Sequence, residues 1–221
     1  NMAKPAWITV APASGADNGT FKVSASAHTG RVARTGTVTV TNANGAKPSK
    51  AISVSQAAKA AFMNTTTPTV PDVPSAGGKA TITGKANSDK FYVALTAMGG
   101  LPTFKLTIGG VVQTLTLREG NIASFGVYEC TVKNDVGAAA EYSFSLEVTL
   151  PANTTARKTG SMVACGFSLN SSNGVNDAFR VTVNQLGAAS TLAVNPASLS
   201  LVTAGTAQTV TVTSNDDWTV S

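Results

Sequence analysis

The sequence predicts an all-β protein of two β-sandwich domains in tandem, the first completed by the C-terminal strands. Three observations carry that prediction. Thr, Val, Ser, Ala and Gly dominate the 221 residues, and no segment repeats apolar residues at the three- and four-residue spacing of an amphipathic helix. Short stretches alternate apolar and polar residues at period two, and Gly, Asn and Pro turns separate them. One pattern of strands and turns occurs twice, and one of its two occurrences is divided between the chain ends. With 43% hydrophobic but only 6% aromatic residues, the chain has material for two small cores.

Taken in order, the head supplies strands at Trp7–Val10, Thr20–Ala25, Arg34–Val40 and Ile52–Gln56. Its turns fall at Pro12 to Gly15, Asp17-Asn-Gly19 and Asn42 to Gly45, where Gly and Asn accept positive φ and Pro fixes the turn entry. After Gln56, the run from Asn64 to Pro74 holds three prolines, which forbid a central strand and favour an extended linker or edge. This places a domain boundary near residue 61. Residues 62–190 form the second domain, with an inserted hairpin over 96–126 whose two alternating strands, Thr103 to Leu117, turn at Gly109-Gly110. The tail, 191–221, has a run Thr191 to Pro196, a strand Gln208–Thr213 and then Ser214-Asn-Asp-Asp-Trp218-Thr-Val, with no partner strands after it. Written tail first and head second (191–221, then 1–61), the two pieces read as one uninterrupted domain.

The second domain repeats the pattern of the split one. Pro71 to Thr83 matches Pro196 to Gly205 leading into Val210-Thr-Val-Thr, and Asn87-Ser-Asp-Lys-Phe91 matches Asn215-Asp-Asp-Trp218. Tyr128 to Val132 followed by Gly137 matches Trp7 to Val10 followed by Gly15, with the same valine-to-glycine spacing. Arg157-Lys-Thr-Gly160 answers Arg34-Thr-Gly36 with one extra residue, and Val181 to Gln185 answers Ile52 to Gln56. The Asn-x-x-Trp strand end, a second Trp before a Gly turn, Arg-Thr-Gly and a terminal Val-x-Gln resemble the BACON domains of Bacteroidetes and their phages. In 62–189, Phe91 and Tyr128 stand where the tryptophans would be. The resemblance implies an immunoglobulin-like, non-catalytic sandwich, proposed in the family to bind carbohydrate or mucin and often a spacer beside glycan-degrading modules.

Composition and motifs exclude most other chemistry. The net charge of +5 is spread thinly, without the basic block and interleaved aromatics of a nucleic-acid groove. No apolar run reaches the ~18 residues of a membrane span, and Asn1 to Trp7 lacks the apolar region of a signal peptide. Asn1 before Met2 reads as a tag remnant or a fragment start. The single histidine, His28, reads as a solvated loop residue, since no second His, Cys pair or carboxylate cluster offers metal-ligand spacing. Cys130 and Cys165 lie in apolar strand contexts and read as buried free thiols, with a disulfide as the alternative. Asp216-Asp217 and Asp89 lie at equivalent strand ends, and Glu119, Glu129, Glu141 and Glu147 are dispersed over strands and loops; all read as solvated charges rather than a glycosidase pair. Asn215-Asp216-Asp217 lacks the alternating ligands and the Gly of a calcium loop. No cofactor or metal is expected.

Two functions remain. One is a structural, spacer or adhesion protein, on a cell surface or in a virion, self-associating through 191–221. The other is a glycan-binding module, with Asn215, Asp216, Asp217, Trp218 and Trp7 as its candidate residues. Core packing competes for both tryptophans, which alternate with Val10 and Val220. The head alone exposes an incomplete sandwich, so the tail is expected to dock, and tethering favours docking within the same molecule over docking in the next.

Overall fold

The computed structural model describes residues 3–45, 47–96, 102–121, 125–170, 175–201, 203 and 205–221. Asn1, Met2, Val202, Ala204 and parts of the predicted insertion (97–101 and 122–124) lie outside them. The strands are β1 (Ile8–Ala11), β2 (Lys22–Ala25), β3 (Arg34–Thr41), β4 (Ser49–Gln56), β5 (Met63–Thr65), β6 (Gly78–Ala86), β7 (Lys90–Thr96), β8 (Thr103–Ile108), β9 (Val111–Gln113), β10 (Thr116–Asn121), β11 (Phe125–Thr131), β12 (Tyr142–Leu150), β13 (Thr159–Leu169), β14 (Val175–Gln185), β15 (Leu192–Asn195) and β16 (Thr211–Ser214). A 3-10 turn at Lys133–Ala138 joins β11 to β12. The all-β class is as the sequence predicts.

Two five-stranded sheets form a β-sandwich in the middle of the chain, in the orders β5-β6-β12-β8-β9 and β10-β11-β7-β13-β14. Alternation explains the layering, because every second side chain of β12 (Tyr142, Phe144, Leu146, Val148, Leu150) is buried. These meet Phe91, Val93, Val163, Cys165, Val181 and Val183 of the facing sheet in one core. Phe144 packs edge-on to Phe91 at 5.0 Å between centroids. The proline-rich segment becomes an edge: β5 pairs with Gly84–Ala86, and Val73 bridges to Gln185.

The inserted hairpin is shorter than the sequence suggested. β8 and β9 turn at Gly109 and Gly110, both at positive φ, but pairing stops at Gln113. Thr116 to Leu117 then belong to β10, which pairs with β11 in the opposite sheet. Period-two alternation is the same in either sheet, so it marks a strand without naming its partner.

The head holds two ribbons, β1-β2 and β3-β4, that share no sheet. Its small core is Ile8 and Val38, with Gly36 leaving room for Pro5, Trp7 and Ile8. Arg34 lies 4.5 Å over the Trp7 ring and donates Nε to Gln56 Oε1 at 2.9 Å. Phe21, Val23, Val40 and Ile52 remain exposed.

In the tail, β15 and β16 pair only with each other among the described residues. Among the described residues, therefore, the head is not paired with its own tail, although tethering favours that arrangement. The reason is geometric: the head meets the pole of the middle sandwich where β12 begins, beside Ala86 and Glu141, whereas the tail meets the pole where β12 ends, beside Thr154 to Arg157. Nine residues of strand hold these poles about 27 Å apart.

Candidate functional site

The two attachments are built alike. At the head joint, buried Asn87 accepts the Phe62 N–H at Oδ1 (2.9 Å) and donates Nδ2 to Ala60 O and Thr29 O, each at 3.1 Å. At the tail joint, Asn215 accepts the Thr191 N–H at Oδ1 (2.8 Å) and donates Nδ2 to Ala189 O (2.9 Å) and Thr154 O (3.3 Å). In each, the asparagine ends a strand, pins the entry to that strand's hairpin partner and reaches one carbonyl of the preceding unit. The neighbours correspond as well. Asp89 pairs with Arg31 and Asp217 with Arg157, while the Lys59 N–H donates to Gly30 O (2.9 Å) as the Ala188 N–H donates to Thr155 O (2.7 Å).

The register extends the likeness: Met63 faces Ala86 just before Asn87, and Leu192 faces Ser214 just before Asn215. Burial does not follow it. Met63 is 2% exposed and Phe91 0%, but their tail counterparts Leu192 and Trp218 are 65% and 52% exposed. Among the described residues the tail is a two-stranded ribbon with no further strand paired to it.

Of the residues singled out as glycan candidates, Asn215, Asp216, Asp217 and Trp218 sit together in the tail, and Trp7 lies apart in the head. Asn215 and Asp217 are engaged in the joint, and Asp216 accepts from the Asp217 N–H (2.9 Å) and from Ser190 Oγ (3.3 Å). Trp7 is half-buried under Arg34 rather than enclosed in a core. His28, expected to be solvated, is half-buried and donates Nε2 to Val32 O at 2.7 Å. Sequence reading missed Asn87 and the Thr29–Arg31 and Thr154–Arg157 loops; the repeated Asn-x-Asp was the available signal.

Cys130 and Cys165 are free and buried, and burial pushes both thiols up. Hydrogen bonding to Lys85 holds Glu141 below its ordinary value, with Lys59 adding to it. Among the described residues no three His, Cys, Asp or Glu side chains converge to hold a metal, and no helix is long and apolar enough to cross a membrane.

Fold and joints together define a modular all-β protein, a closed β-sandwich joined to the head ribbons at one pole and to the tail ribbon at the other. Residues 1–57, the head, match the family model described as "BACON: Putative binding domain, N-terminal". Among solved structures, the chain is similar to the "Crystal structure of BcpA*(D312A), the major pilin subunit of Bacillus cereus", at 11% identity and a TM-score of 0.31, over 89% of this chain and 66% of that one. The chain thus spans about two thirds of the pilin's length. No curated protein matches it.

Proposed function

We propose that the chain is a non-catalytic structural and adhesive module whose open head is closed by C-terminal strands of the 191–221 type, and that a second copy supplies them. The carrying observation is the mismatch between the two joints: the same hydrogen bonds, but core positions buried at one and bare at the other. Residues 62–190 are then one BACON-type unit, and the tail of one copy with the head of another makes the second. The family's description as a binding domain supports an adhesive role. A cell surface or a virion is the setting that suits repeated association. Exposed Trp218 beside Asp216 and Asp217 favours glycan binding as the second reading, although the same exposure follows from an unfilled module.

A peptide of residues 191–221 added to a chain truncated after Ser190 tests the reading. Saturable binding that raises the melting temperature with peptide concentration is expected. No binding at millimolar peptide would refute it.

A further inference from the structure

The head joint has a third component with no counterpart at the tail joint among the described residues. The Arg31 N–H donates to Gly137 O (3.0 Å), the Val32 N–H to Ala138 O (3.1 Å) and the Glu141 N–H to Thr29 Oγ1 (3.0 Å). Gly137 lies so close that a Cβ there would overlap the Asn87 carbonyl. Among the described residues nothing fills that place at Asn215, which is only half-buried. The five-residue spacing from Val132 to Gly137 recurs from Val10 to Gly15, so the element that fits beside Asn215 is the Pro12 to Gly15 loop of a head. In its own chain, Gly15 is exposed, and a Cβ built on it meets nothing within 4 Å.

Register follows from the same comparison. The pairing corrects the Thr-Gly match read from the sequence by one residue: Arg34 faces Gln56 as Thr159 faces Gln185, which sets Val38 on Val163, both buried, and Val40 on Cys165. Cys165 pairs with Val93 of β7, and taking Phe91 as Trp218 makes Val93 the counterpart of Val220. Val40 and Val220 are 44% and 85% exposed in the single chain.

We propose that the partner of the tail is a second copy of this chain, docked with its Gly15 loop on Asn215 and with its Val40 opposite Val220. This rests on the closure read above and goes beyond it by fixing polarity, register and the contact that locks the joint. Because the middle sandwich then carries the same joint at both poles, every addition repeats the last, and the product is a head-to-tail line rather than a closed two-fold dimer.

Two variants test it in the full chain. Gly15→Val has open space in its own molecule, so it should leave the melting temperature of the unassociated chain unchanged and weaken self-association about tenfold or more. Val40→Cys and Val220→Cys chains, mass-tagged differently and mixed under mild oxidation, should give the mixed disulfide, since directly opposed residues in a sheet stand within disulfide reach. Normal association by Gly15→Val together with no mixed disulfide would overturn this joint while leaving closure between copies standing. Absence of association in the unaltered chain at millimolar concentration would overturn both.

Discussion

At the scale of single residues, Asn87 and Asn215 do the same work under different cover, and that difference can be measured. Replacing Asn87 with Ala strands a buried N–H and two carbonyls, and should lower unfolding free energy by about 2–4 kcal/mol. Asn215→Ala leaves groups that water can reach, and should cost less than about 1 kcal/mol in the unassociated chain. Urea unfolding of the two variants checks the contrast; equal losses would contradict it. Cys165, with its thiol pushed up by complete burial, gives a pH prediction. A raised folded value means that the unfolded state releases its proton first, so stability holds below the ordinary thiol range and falls as pH rises above about 9. The urea midpoint should therefore drop between pH 8 and 10, and drop less in Cys165→Ala. The role of Asn215 was not legible in the sequence, because an amide after a strand looks the same whether it meets a sugar or the Thr154 carbonyl 61 positions away.

At the scale of elements, the strands themselves were legible and their partners less so. Period-two alternation placed Thr103–Ile108 and the turn at Gly109-Gly110, but it carried the hairpin on into Thr116 and Leu117, which cross to the other sheet. The Asn64 to Pro74 segment was narrowed to linker or edge, and only the pairing of Met63–Thr65 with Gly84–Ala86 settles it as an edge. Paired elements in the two occurrences predict opposite sensitivities. Ile82 of β6 is fully buried, and its counterpart Val210, at the approach to β16, is exposed. Ile82→Ala should cost about 2–5 kcal/mol as a core cavity. Val210→Ala should stay within about 0.5 kcal/mol in the unassociated chain. Thermal unfolding at low protein concentration separates the two, and a comparable loss at Val210 would mean that the tail is already packed.

At the scale of the molecule, tail and head carry the halves of one strand pattern and stand at opposite poles of a closed sandwich. The repeat in the sequence is the basis for proposing that division; it left open in which molecule the halves would meet, because reach depends on where the middle sandwich holds its two joints. Each side chain such as Leu192, Trp218 or Val40 that passes from open to closed contributes about 1.5–3 kcal/mol at full burial, set against the freedom lost on association. Several such side chains on each half would make the proposed closure between copies favourable, and open strand edges on both halves would give it direction. The measurement that bears most directly on this is solution mass by light scattering over a wide concentration range, for the full chain and for a chain ending at Ser190. Mass that climbs with concentration in the full chain and stays at one monomer in the shortened one is the predicted result. A full chain that remains a monomer throughout would contradict closure between copies.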